Sequence, residues 1–225
     1  MANKQTRKKS KQKSISFQGQ ALIGILAIIV VAALLYLVIN GNDGAQTKSA
    51  ETIPLAEMNY TEPPEMNIQP EITYLAVFSM ENGGEFVVQL YPDKAPLAVN
   101  NFVFLAREGY YNGVTFHRVL EGFMAQGGDR SGTGAGGPGY TFINEDSDLV
   151  FDKPGVMAMA NAGRDTNGSQ FFITFQEAEY LNGDYTIFGQ VVDGMDVVNG
   201  ITLRDPEQNP TFAGDLITNV EIIEK

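Results

Sequence analysis

The sequence has no cysteine, no tryptophan and a single histidine among its 225 residues. Without cysteine there is no disulfide, no thiol nucleophile and no Cys-type zinc site. A lipidated N-terminal cysteine is excluded as well, so any membrane attachment has to be made by peptide. One imidazole rules out a His-rich metal site, and no metal or other cofactor is expected. Positive charge is scarce: 15 Lys and Arg face 27 Asp and Glu, for a net charge of −12. That balance argues against a nucleic-acid-binding surface, which needs clustered cations for phosphate contacts. What the chain does have is 44% apolar residues and 24 glycines, the composition of a turn-rich globular domain.

The charge is unevenly placed. Residues 1–20 carry six cations (Lys4, Arg7, Lys8, Lys9, Lys11, Lys13) and no acid, which leaves the remainder at −18. Between the basic tail and the acidic body lies Ala21–Ile39, an uncharged apolar run of 19 residues. As a helix it would span about 28 Å, close to the thickness of a bilayer's hydrocarbon core. It is longer than the core of a signal peptide, and the polar stretch after it offers a poor cleavage pattern. The run reads as a retained transmembrane anchor, with a cleaved signal peptide and a secreted product as the alternative. The cations would keep the N-terminus in the cytoplasm and place everything after Asn40 outside. Residues 40–70, with Pro54, Pro63, Pro64 and Pro70 among polar residues, read as a linker.

From Glu71 the pattern becomes that of a folded domain, 71–225. β-rich runs are expected at Ile72–Met80 and Glu85–Tyr91, joined by a turn at Glu81-Asn82-Gly83-Gly84. Pro96–Arg107 is helical in period, with Val99, Phe102, Val103 and Ala106 on one face, Pro96 at the start and Gly109 at the stop. Further short strands are expected around Val114–Val119, Phe123–Gln126, Val156–Ala160, Phe171–Phe175, Thr186–Val191 and Ile217–Glu224, with a short helix at Met195–Asn199. Many short strands and few helices indicate an antiparallel barrel or sandwich with capping helices.

Several familiar motifs fail. Gly132, Gly134 and Gly137 satisfy GxGxxG, but Pro138-Gly139 follows where a dinucleotide fold requires a helix. The acidic stretch Asn144–Asp148 does not match the ligand spacing of an EF-hand and reads as a solvated turn. His117 has no nucleophile elbow to serve.

A denser constellation remains: Phe116-His117-Arg118-Val119, then Gly122 to Asp129 (GFMAQGGD), Met159-Ala160-Asn161-Ala162-Gly163, Thr166 to Ile173 (TNGSQFFI) and Phe188-Gly189. Because strand side chains alternate, Arg118 would face opposite to His117, and Phe171 opposite to Phe172. One arginine and the amides Gln126, Asn161 and Gln170 are interleaved with apolar Phe123, Met124 and Phe172, a set suited to holding a peptide backbone over an apolar pocket.

In order and approximate spacing these blocks resemble the cyclophilin family of peptidyl-prolyl cis–trans isomerases, over residues 71–225. The resemblance implies a mainly β domain, an eight-stranded antiparallel barrel capped by two helices, that isomerises X-Pro bonds. It implies Arg118 as the catalytic residue, with His117 beside it. It implies a proline pocket of Phe123, Met124, Phe172 and Leu181, and a backbone groove of Gln126, Ala160, Asn161, Ala162 and Gln170. Tyr180 stands where cyclosporin-sensitive members carry Trp, which implies weakened cyclosporin binding. Tyr185 stands where many carry a pocket His, and an aromatic there still covers a proline ring. The partners so implied are proline-containing segments of unfolded, exported proteins, together with the membrane through the N-terminal run. The rival reading is a tethered peptide-binding chaperone module that uses the same groove without turnover.

Overall fold

The computed structural model describes residues 58–225. The basic tail, the apolar run 21–39 and the first part of the linker lie outside the described residues. Among those described, no helix is long and apolar enough to cross a membrane.

Strands β1 (Tyr74–Met80) and β2 (Glu85–Leu90) form an antiparallel hairpin. Strict alternation buries Tyr74, Ala76, Phe78 and Met80 from the first strand and Phe86, Val88 and Leu90 from the second. The turn closes as its residues dictate: Gly83 takes a φ of +83°, and Asn82 Oδ1 accepts the N–H of Gly84. Helix α1 (Pro96–Arg107) begins with a proline, which gives up no hydrogen bond there. Ala95, the residue before it, offers no side-chain cap. Glu145, 48 residues beyond Leu97, supplies the cap instead: its carboxylate accepts the N–H groups of Leu97 and Ala98 at 2.8 and 2.9 Å. The acidic stretch expected to be a solvated turn is therefore stitched to the body. Besides Glu145, Asp146 pairs with Arg164 and Asp148 with Lys94, both at the exposed surface.

The remaining elements are β3 (Val114–Thr115), β4 (Arg118–Leu120), β5 (Met124–Gly127), β6 (Val156–Met159), β7 (Phe171–Thr174), β8 (Ile187–Asp193), α2 (Met195–Asn199) and β9 (Leu216–Glu224). They form one sheet in the order β3-β9-β1-β2-β8-β6-β7-β5-β4, with every pairing antiparallel.

Among the described residues nine strands replace the eight expected, because the single run expected over Val114–Val119 is two. Its first half pairs with β9 and its second with β5. The ladder breaks at Phe116 and His117, both buried. The two edge strands are thus halves of one segment, and the sheet returns on itself through that backbone. The architecture is a barrel rather than a sandwich.

Inside, Phe171 is fully buried, with Phe78, Phe102, Tyr111 and Phe116 edge-on to it at 5.7–6.0 Å. The outer face of β5–β8 is not left to solvent. Met124, Ala158, Phe172 and Ile187 pack there with Phe151, Ala178 and Leu181 in a second apolar cluster. Burial on both faces explains why β6 and β7 read as continuous apolar runs, VMAM and FFIT.

The last part of the expected linker, 58–70, is seated on this body. Ile68 is buried, and Asn100 on α1 bonds the backbone of this segment.

Candidate active site

Register lays out the site. Arg118 on β4 lies opposite Gln126 on β5, Gln126 opposite Phe172 on β7, and Phe172 opposite Ala158 on β6. Residues directly opposite in an antiparallel ladder share a face, so these four form one row across four strands on the outside of the barrel. Met124, two positions from Gln126, shares that face. Phe171, one position from Phe172, packs into the core, and His117, one position from Arg118, is buried with its ring near Gly134 of the glycine-rich loop.

Around the row is a small cavity of about 150 Å³ that mixes apolar and polar side chains, lined by Arg118, Phe123, Met124, Gln126, Ala160, Asn161, Phe172, Leu181 and Tyr185. This is well below the roughly 300–1,000 Å³ of pockets for drug-sized ligands, and suits a single small ring. The Arg118 guanidinium carbon lies 5.9 Å from the Phe123 ring centre, and a guanidinium nitrogen lies 4.0 Å from Met124 Sδ. The charged group is therefore held over apolar surface at the pocket's edge, where water screens it less. Tyr185 meets Phe172 edge-on at 5.2 Å and closes one wall.

Gln126, Ala160 and Asn161 also border a larger recess of about 560 Å³, which Ala162, Gln170, Pro138, Tyr140 and Thr166 help to line. The amides are fixed in place. Gln126 Nε2 donates to Gln170 Oε1 at 2.9 Å, and Gln170 Nε2 donates to the carbonyls of Gly134 and Gly136 at 3.0 and 2.8 Å. The glycine-rich loop is held in turn by buried Asp129. Its carboxylate accepts the N–H groups of Ser131, Gly134 and Gly136 and the Ser131 hydroxyl. A side chain at Gly136 would run into that carboxylate.

A pocket sized for one ring, a guanidinium at its edge and a groove of fixed amides describe a site for peptide. The family description cyclophilin type peptidyl-prolyl cis-trans isomerase/CLD matches residues 75–222. The chain belongs to this family. Over 129 residues it is 46% identical to peptidyl-prolyl cis-trans isomerase B of Bacillus subtilis, which covers 57% of this chain and 90% of that protein. Over 137 residues it is 50% identical to the human peptidyl-prolyl cis-trans isomerase-like 1, covering 59% and 80%. A solved Cryptosporidium parvum cyclophilin type isomerase, crystallised in the presence of the dipeptide Ala-Pro, superposes with a TM-score of 0.59 at 34% identity, over 67% of this chain and 99% of that one. The chain is a cyclophilin-type peptidyl-prolyl cis–trans isomerase.

Ten of the thirteen residues expected at the cyclophilin site line the small cavity or continue from it: Arg118, Phe123, Met124, Gln126, Ala160, Asn161, Phe172, Leu181, Tyr185 and, through its bond to Gln126, Gln170. Ala162 borders only the recess. Tyr180 is 71% exposed and stands at the rim, its ring 6.0 Å from that of Phe123.

His117, expected beside Arg118 as a catalytic residue, lines neither cavity. It is 2% exposed, with its ring near Gly134 of the glycine-rich loop. Burial pushes its imidazole below the ordinary histidine range. The Asp129 carboxylate and a backbone hydrogen bond with Thr115 oppose that shift, and the Arg204 and Arg118 guanidiniums reinforce it. It is a neutral interior residue whose backbone carbonyl accepts from Arg204.

Asp129, Gly134, Gly136 and Tyr140 are not among the site residues expected from sequence, where Asp129 only ends the GFMAQGGD block and Gly134 only falls in the failed GxGxxG pattern. The one local signal is Asp129 two residues before Ser131, the spacing of an Asx turn.

Burial alone would raise the Asp129 carboxyl, but the hydrogen bonds from Ser131, Gly136 and Gly134 outweigh it and hold it below the usual range. A depressed carboxylate contributes stability above its unfolded value and loses it as pH falls through the folded one. The stability gap between wild type and Asp129→Asn, from urea unfolding, should therefore narrow as pH falls below about 4. A gap constant from pH 7 to pH 2 would contradict this account of the loop.

Proposed function

We propose that Arg118 is the catalytic residue of this isomerase and that its clients are exported proteins whose X-Pro bonds await isomerisation. The X-Pro amide crosses a barrier of about 18–20 kcal/mol because rotation destroys resonance. In the half-rotated state the proline nitrogen carries a localised lone pair. A guanidinium donor near that nitrogen stabilises the twisted state more than either planar one, which is what acceleration requires. The apolar walls hold the ring and exclude water, and the fixed amides of Gln126 and Asn161 hold one side of the peptide while the other turns. No proton is transferred, so a neutral, interior His117 leaves the reaction intact.

One observation carries the reading: among the described residues, Arg118 is the only charged one bordering the small pocket. Arg118→Ala should lower kcat/KM on an Ala-Pro peptide by about 10²–10³-fold, the cost of one oriented donor. An unchanged rate would discard the assignment.

The six cations ahead of the apolar run 21–39 support placement on the outer side of a membrane, with the chain retained there. A secreted product of signal cleavage is the alternative. Tyr180 in place of Trp supports weak cyclosporin binding. Protease added to intact cells should digest residues 71–225; their complete protection would overturn this orientation.

A further inference from the structure

The segment 58–70 precedes the stretch that matches the family, which begins at residue 75. It has no regular secondary structure, yet it is pinned at three points. At its N-terminal end, the Tyr60 N–H donates to the carbonyl of Pro138 at 2.7 Å. The Tyr60 ring meets Phe104 edge-on at 5.2 Å and Tyr140 at 6.4 Å. In the middle, Asn100 is 4% exposed and spends its whole side-chain amide on the segment. Its Oδ1 accepts the Asn67 N–H at 2.8 Å, and its Nδ2 donates to the carbonyls of Glu65 and Pro64 at 3.0 and 3.3 Å. Near the C-terminal end, the Gln69 N–H donates to the Tyr74 hydroxyl at 3.0 Å.

Two of the residues that Tyr60 touches, Pro138 and Tyr140, are walls of the recess beside the proline pocket. Glycine at 139 is what allows the approach: it has a φ of +98°, and a Cβ there would run into the Tyr60 carbonyl. Asn101, next to the residue that pins the segment, braces the same walls. Its Oδ1 accepts from the Tyr140 hydroxyl at 2.6 Å, and its Nδ2 donates to the carbonyl of Gly168 at 2.9 Å. The strap and the recess are thus held from neighbouring positions of one helix.

We propose that residues 58–70 form a positioning element of the substrate groove: Tyr60 holds the Pro138–Tyr140 wall in place and so sets how tightly the recess binds the part of the peptide that flanks the proline. This rests on the isomerase reading. The strap lies outside the proline pocket and does not touch Arg118, so it acts on binding of longer substrates and not on rotation itself. In kinetic terms it contributes uniform binding, which appears in KM and not in kcat.

The test uses the full chain and two substrates, a capped Ala-Pro dipeptide that reaches only the pocket and a hexapeptide with the same Ala-Pro centre. Tyr60→Ala should raise KM for the hexapeptide by about threefold to tenfold, the range of one modest contact, with kcat unchanged. The dipeptide should be turned over as by wild type, and Tyr60→Phe, which keeps the ring, should restore the hexapeptide KM. Asn67→Pro removes the strap's own donor to Asn100 from an exposed position. It should give the same split and decides the matter if Tyr60→Ala does not fold. Equal losses on both substrates, or no change in either variant, would overturn the proposal. If wild type isomerises neither substrate, the isomerase reading fails instead, a separate result.

Discussion

The break in the ladder at Phe116–His117 is the constraint on which the rest depends. There one extended segment leaves β9 and joins β5, which closes the sheet and fixes which face each neighbour presents. Phe116 is committed to the core, and Arg118 borders the small cavity on the outer face. Once Arg118 is paired with Gln126 and Gln126 with Phe172, donor, amide and pocket floor lie in one row at strand spacing. A register slip of one residue would put the guanidinium in the interior and leave the pocket without a charge. The slip would also take buried Val119 out of the core, at about 1.5–3 kcal/mol for a side chain of that kind.

Catalysis asks little more of this frame than rigidity. A group that favours a half-rotated amide over both planar ones must not itself relax to follow the ground state. The second apolar cluster beneath the pocket, with Phe151 stacked on Phe172 at 5.8 Å, stiffens the floor. The Gln126–Gln170–glycine-loop chain, anchored on Asp129, stiffens the groove. This chain of polar bonds is satisfied at each link, which is the condition under which a half-buried polar network adds order.

Sequence revealed the parts governed by local rules. Period-2 and 3.6 patterns located the strands and helices, and α1 and α2 have the bounds that Pro96, Gly109 and the run Met195–Asn199 suggest. Alternation predicted opposite faces for Arg118 and His117 and for Phe172 and Phe171. Phe116, fully buried against Phe171, departs from it at the ladder break, and the pocket set was legible only through the resemblance of the motif blocks. What escaped is long-range. Nothing near Val114 says that its continuation changes partner. Nothing near Ala95 announces a cap 50 residues away at Glu145. The glycine run is disqualified as a nucleotide loop by Pro138, but its use as a wall depends on Gln170 reaching its carbonyls. The pinning of 58–70 by Asn100 is hidden because an asparagine on a helix has no periodic signature of its own.

The central claim is that the Arg118 guanidinium acts on the rotating bond and not on the resting substrate. Two-dimensional exchange NMR on an Ala-Pro peptide bound to wild type and to Arg118→Gln separates the two quantities, since it reads both the bound cis–trans interconversion rate and the affinity. The account predicts a collapsed interconversion rate with affinity nearly kept. Affinity and rate falling in parallel, or a rate that survives the substitution, would contradict it.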